Sequence, residues 1–256
     1  MKGTSRSTRL TPSLALLLFL VARAGVAQGG PPLVTDDPGT PGDRHWEVNV
    51  AFTFERRGSE RVFHAPLLDA NYGVGDRIQL KVEVPWILRR QEDGPDENGP
   101  GNALFGVKWR FLDGESGGVS VSTYPQIEIN ASRSSADRGL VEKEPGLLLP
   151  LSFQKQLGPL SANLEIGHAF RRGTKGRWIY GLALGHDFSE RVEVIGEIFG
   201  GASARFADIG LDWNLGGRWK LARHLVLLVS AGAGIVGTSQ EPRTRFQSYT
   251  GVQLLF

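Results

Sequence analysis

Along most of this chain apolar and polar residues alternate one by one. Between Arg77 and Trp86, Ile78, Leu80, Val82, Val84 and Trp86 alternate with Gln79, Lys81 and Glu83. A period of two is what a strand with one apolar and one polar face produces. Twelve segments carry it: 45–54, 63–72, 77–86, 102–112, 118–130, 146–157, 160–170, 177–188, 192–200, 207–215, 224–235 and 245–256. Each is close to the roughly 9 to 11 residues that a tilted strand needs to cross a bilayer, and longer than a typical strand in water.

The connections have a rhythm of their own. After every second segment they are short, as in "GVGD", "DGESG", "GP", "SER" and the longer "GGRWKLAR". The others are mostly longer and polar, as in "QEDGPDENGPG" and "ASRSSADRGLVEKE". Short turns at one end and long loops at the other predict an all-β fold, an antiparallel up-and-down transmembrane β-barrel of about 12 strands with short periplasmic turns and longer extracellular loops. Only a helix or a closed barrel satisfies its own backbone hydrogen bonds in hydrocarbon, and no stretch after Ala27 is apolar for long enough to be a spanning helix. Trp46, Tyr72, Trp109, Phe188, Trp213 and Phe256 fall near the short-turn ends, and Trp86, Phe170 and Trp178 near the long-loop ends, as two aromatic girdles require. Pro125 and Pro150 interrupt the pattern, and each predicts a bulge or an early strand end.

The ends refine this picture. Lys2, Arg6 and Arg9 precede the apolar run Leu14–Ala22, and small residues follow up to Ala27, the layout of a secretory signal peptide over 1–27. Residues 28–44, rich in Pro, Gly and Asp, predict an irregular periplasmic leader, and 45–256 the barrel, in the outer membrane. Removal of Lys2, Arg6, Arg9 and Arg23 takes the formal charge from +2 to −2, which offers nucleic acid no basic surface. The chain has no Cys, so neither disulfides nor thiolate metal sites are available to it.

Candidate chemistry is sparse. "GAGIVG", Gly232–Gly237, matches a dinucleotide fingerprint but leads into a loop and a strand instead of a helix. The five His are dispersed, His168 and His186 fall at opposite ends of neighbouring strands, and there is no G-x-S-x-G elbow, so we expect no catalytic residue, metal or cofactor. The polar phase is richer. Asp69, Asn71, Lys81, Glu83, Lys108, Arg110 and Glu128 lie opposite the apolar face on neighbouring strands and should interleave inside the barrel. They either brace the wall as ion pairs or form a polar constriction that selects a solute. Twelve strands enclose a narrow pore, one that the leader could partly block. The predicted function is a channel or transporter for small molecules. A structural or adhesin-like barrel acting through its loops, and an outer-membrane hydrolase, are the alternatives.

The stretches "PPLVTDDPGTPGDRHWEVNVAF", "APLLDANYGVGDRIQLKVEVPW", "FGVKWRFLDG", "YPQIE" and "LLLPLSFQKQLGPLS" resemble the MetA-pathway-of-phenol-degradation family of outer-membrane barrels, often described as transporters. That resemblance implies a barrel fold and passage of small compounds, apolar or aromatic ones among them. It carries no binding or catalytic residue across.

The closing stretch "RFQSYTGVQLLF" ends on an aromatic residue, and Gly251, Leu254 and Phe256 resemble the C-terminal signal by which outer-membrane barrels are recognised for assembly. Expected partners are outer-membrane lipid and lipopolysaccharide, the barrel-assembly machinery and a small-molecule solute, with no nucleic acid. Deletion of Phe256 should lower insertion into the outer membrane while export across the inner membrane continues. Normal outer-membrane levels on fractionation would contradict that.

Overall fold

A computed structural model describes residues 29–92, 94–114, 118–239 and 242–256; the expected signal segment lies outside them. The strands are β1 (Trp46–Arg57), β2 (Glu60–Val74), β3 (Ile78–Arg90), β4 (Glu97–Pro100), β5 (Ala103–Leu112), β6 (Val119–Thr123), β7 (Gln126–Ile129), β8 (Gly146–Leu157), β9 (Leu160–Arg171), β10 (Arg177–Ser189), β11 (Val192–Ser203), β12 (Ile209–Ala222), β13 (Leu225–Val236) and β14 (Thr244–Leu255). One short helix, α1 (Arg133–Asp137), lies between β7 and β8.

These fourteen strands make twelve antiparallel staves. β4 and β5 both pair with β3, the first through Arg89↔Glu97 to Trp86↔Pro100 and the second through Glu83↔Leu104 to Ile78↔Trp109. β6 and β7 likewise both pair with β5 and β8. The remaining staves are single strands, each paired with the next. β1 and β14 close the ring in unbroken register from Glu47↔Leu255 to Arg56↔Phe246. Trp46 and Phe256 exchange backbone hydrogen bonds of 3.0 Å, so the start of the first stave and the end of the last meet at one rim.

The apolar phase faces outward, with Leu80, Val82, Val84, Phe105, Val107, Leu164, Ile166, Leu182 and Leu184 all exposed as a lipid-facing wall must be. The barrel proper carries mostly polar residues on its inner face, among them the buried Asn49, Asp69, Asn163 and Ser152.

Several boundaries move. β12 continues through "GGRWKLA" to Ala222, because Trp219 and Leu221 carry the outward phase on past Gly216 and Gly217; only Arg223 and His224 remain as the turn. Trp213 therefore sits well inside its stave, and Trp219 takes the position near the short-turn rim. The connection after β1 is the two-residue turn Gly58–Ser59, so the long-loop rim is not uniformly long. Pro125 does break its stave, between β6 and β7, but β8 runs through Pro150 without interruption. Pro150 lies opposite the break, where its carbonyl accepts from Thr123 Oγ1 at 2.9 Å and from Tyr124 N at 3.4 Å. A residue lacking an N–H is tolerated there because the neighbouring ladder is already interrupted.

The closing seam is tight. Ala51 is 0 % exposed opposite Gly251, where an added Cβ would come within 2.8 Å of the Ala51 Cβ and 3.0 Å of the Val50 carbonyl oxygen. Gly251→Val should destabilise the folded barrel by about 1–3 kcal/mol through overpacking, read as a lower denaturant midpoint for the loss of heat-modifiable gel mobility. An unchanged midpoint would refute the tight seam.

Candidate functional site in the barrel lumen

The segment 29–44, expected as a periplasmic leader, is folded inside the barrel. A turn from Gly30 to Thr35 begins it, with Gly30 N donating to Thr35 O and Leu33 N to Gly30 O, both at 2.9 Å. Gly30 has φ +71°, a conformation that favours glycine. Asp37 ties the turn together, accepting from Gly29 N and, at 2.5 Å, from Gly39 N.

The wall supplies partners for many of the polar groups that the leader does not satisfy itself. Glu197 on β11 accepts Val34 N at 2.9 Å and Thr35 N at 2.8 Å, and is held in turn by Asn214 Nδ2 on β12 at 2.7 Å. Glu165 on β9 accepts Asp36 N at 3.0 Å. Arg218 on β12 donates to the carbonyls of Gly29 (2.7 Å), Gly30 (3.1 Å) and Pro31 (2.8 Å) while pairing with Glu193 at 3.0 Å. Ser230 on β13 donates to Pro32 O at 2.7 Å. Lys108 on β5 donates to Asp36 Oδ1 at 2.9 Å and Gly39 O at 3.1 Å, with Asp37 at 4.0 Å and its ammonium 4.8 Å above the Tyr124 ring.

Shape matches as well as charge. Leu33 packs with Ala183 and Ile195, two apolar positions on the inward phase of β10 and β11. Thr35 occupies the space a Cβ at Gly181 would need, its Oγ1 only 2.2 Å from that point. At the short-turn rim, Gly75 N donates to Asp43 Oδ1 at 2.8 Å and Thr40 Oγ1 to Asp76 O at 2.9 Å.

Of the residues singled out from the sequence, five converge here. Asp69 accepts Asn49 Nδ2 and Asn71 Nδ2, each at 3.1 Å, and lies 3.4 Å from Lys81, which also pairs with Glu83 at 2.9 Å. Gln79 links Asn71 (2.7 Å) to the Tyr124 hydroxyl (3.0 Å), beside Lys108. The other two lie elsewhere. Arg110 holds the short-turn rim through Asp76 O (2.8 Å) and Asp113 (3.4 Å), and Glu128 pairs with Arg171 at 3.2 Å near the long-loop rim. The His168 ring lies on the outer wall, tilted 46° to Phe170 with centroids 4.3 Å apart, His186 bonds Pro159 O at the opposite end, and Gly232–Val236 continue β13 as strand, so the described residues bring together neither a histidine site nor a nucleotide turn.

Sequence reasoning missed Arg218, Glu193, Glu197 and the Asp36–Asp37 pair as parts of the site. It also missed the inward-facing apolar residues Leu104, Leu148, Ile179 and Phe199, which share the phase of Glu83, Gln126, Gly181 and Glu197 but lie nearer the long-loop rim than the leader's seats at Lys108, Ser152, Gly181 and Glu197.

The free space is uneven. Around Asp36, Asp37, Asp69, Lys81, Lys108 and Tyr124 it amounts to about 50 Å³, enough for one or two waters at about 30 Å³ each. Toward the long-loop rim a cavity of about 220 Å³ is lined by Ile179, Phe199, Arg57, Arg177, Asp212 and Arg243.

No family model and no curated protein matches the chain. Solved structures do. The COG4313 outer membrane channel from Pseudomonas putida F1 superimposes with a TM-score of 0.73 at 11 % identity, over 86 % of this chain and 98 % of that one. The KdgM porin in complex with disordered oligogalacturonate matches at 0.57 and 14 % identity, over 82 % and 99 %, and the NanC porin at 0.58 and 5 %, over 81 % and 98 %. The fold is that of outer-membrane channels.

Burial pushes the Asp37 carboxyl above its ordinary value; Lys108 pulls it back, Asp36 pushes it further up, and Arg218 opposes. A carboxyl whose folded pKa is raised adds stability fully present below its ordinary pKa and lost as pH rises through the raised one. The leader should therefore be held more firmly at acid than at neutral pH, measured as protection of 29–40 from an added protease. Asp37→Asn should hold it at neutral pH as firmly as the parent chain does in acid. Equal protection of the parent chain at both pH values would contradict this.

Proposed function

We propose that this chain is a passive outer-membrane channel for small molecules whose resting state is closed by its own N-terminal segment. The observation that carries the reading is the seat of residues 29–40, which spans the lumen from Arg218 and Ser230 on one side to Lys108 on the other. A structural plug could be bound by apolar packing alone. This one is bound mainly by hydrogen bonds and ion pairs, which water and a passing polar group can replace one at a time.

The inward-facing Leu104, Leu148, Ile179 and Phe199 support a finer reading, in which the solutes are compact apolar or aromatic compounds. The resemblance to the MetA-pathway-of-phenol-degradation family points the same way. In this reading the network of Asp69, Asn71, Lys81, Glu83 and Lys108 is the polar constriction beneath an apolar vestibule, and selects by charge what the vestibule admits by shape.

Planar-bilayer conductance and liposome flux test the proposal. The full chain should conduct weakly; a chain lacking 29–40 should conduct at least several-fold more. Gly181→Val, which leaves no room for Thr35, should do the same without removing any chain. Flux of a small phenol should exceed that of a sugar of similar size. Folded, heat-modifiable barrels that conduct in none of these forms would overturn the channel reading.

A further inference from the structure

The outer wall near the long-loop rim carries a feature that transport does not use. A cavity of about 450 Å³ opens on the membrane-facing side, lined by Ile127, Leu147, His168 and Phe170 below and by Arg172 and Lys175 above. Ile127, Leu147 and Phe170 are exposed and belong to the outward phase of β7, β8 and β9. The floor of this cavity is therefore wall that faces acyl chains.

The backbone that carries the cations above it is held in place. The β9–β10 connection is a formed turn in which Thr174 N donates to Arg171 O at 3.1 Å and Thr174 Oγ1 does so at 2.9 Å, with Gly173 and Gly176 at φ +81° and +66°. Gly176 sits directly on the His168 ring, where an added Cβ would lie 2.5 Å from Cε1. That ring stands edge-on to Trp178 at 4.9 Å, and Trp178 stacks on Phe206 at 5.8 Å. Arg172 and Lys175 are both exposed and make no ion pair or hydrogen bond among the described residues. The nearby carboxylate of Glu128 is occupied by Arg171.

We propose that this rim pocket is a binding site for a phosphorylated glycolipid of the lipid A type, with a phosphate between Arg172 and Lys175 and an acyl chain along Phe170, Leu147 and Ile127. Three features select this occupant. Two partnerless cations stand directly above exposed apolar side chains, which matches an anionic headgroup joined to hydrocarbon and fits neither a free anion nor an uncharged lipid. The guanidinium fork of Arg172 suits a phosphate geometrically, with Lys175 as a point charge beside it. The rim opposite the meeting point of the chain ends is the extracellular one in this class of barrel, so the pocket faces the outer leaflet. The proposal rests on that outer-membrane setting and not on solute passage.

The folded full chain in detergent would be titrated with diphosphoryl hexa-acylated lipid A, with its dephosphorylated form, with phosphatidylglycerol and with inorganic phosphate, and bound lipid counted by native mass spectrometry. Diphosphoryl lipid A should bind in preference to the other three. The pair Arg172→Gln and Lys175→Gln should weaken it by about tenfold or more, since each cation near an anionic lipid surface contributes measurably to binding. Arg61→Gln, another exposed arginine, should leave it unchanged, and heat-modifiable mobility would confirm that every variant is folded. Equal binding by the double variant, or equal binding of phosphatidylglycerol or inorganic phosphate, would overturn the site. Lost lipid selectivity with intact conductance would sink this inference alone, and lost conductance with intact lipid selectivity only the channel reading.

Discussion

Everything in this molecule depends on the hydrogen-bonded pairing of β1 with β14. A sheet in hydrocarbon with a free edge would leave a row of backbone groups unpaired, each costing several kcal/mol, so the barrel exists only when the ring is complete. Here the ring closes over almost the whole length of both strands. The apolar phase then has nowhere to face but lipid, and the polar phase nowhere but the lumen.

That geometry creates a second problem, which the interior solves. A twelve-stave lumen is wide enough to admit charge yet walled by low-dielectric protein, so its acids and bases must find partners. Lys81 resolves two acids of the wall, Arg218 shares itself between Glu193 and the leader carbonyls, and Lys108 reaches the leader acids. Glu165 and Glu197, buried on staves that flank β10, take the amide donors of Val34, Thr35 and Asp36 as partners. The leader is therefore part of the electrostatic solution of the barrel. Under the proposed channel function, release of the leader would have to supply water or solute to the same acceptors.

The strands were legible because alternation is a local property; β3 could be read residue by residue. Both chain ends falling on the short-turn rim followed from an even stave count. Three other features were hidden for physical reasons. β4 (Glu97–Pro100) stood in "QEDGPDENGPG", which has the composition of a loop, and only its pairing with β3 reveals it. Arg218 stood in "GGRWKLAR", where two glycines suggested a turn; Gly216 is instead a contact position, its missing Cβ leaving room for Ser230 and Pro32. The leader has the composition of a loop and one useful hydrophobe, Leu33, so nothing local reports that its partners in the lumen lie from 69 to 198 residues away.

The direct attachment of the leader to β1 has a consequence for assembly. Arg44 N bonds Gly73 O at 3.0 Å and β1 begins two residues later, so the leader has almost no slack between its seats and the seam. A strand can slip by two residues and still present its apolar phase to lipid, a displacement of about 6 to 7 Å along its axis. Alternation alone does not forbid such a slip at the closing seam. The leader does: it would be dragged off Glu197, Glu165 and Arg218 together, and each would lose its hydrogen bonds to the leader backbone while still buried. It thus works as a gauge of register, rewarding the one alignment of first and last strands in which the lumen is electrically neutralised.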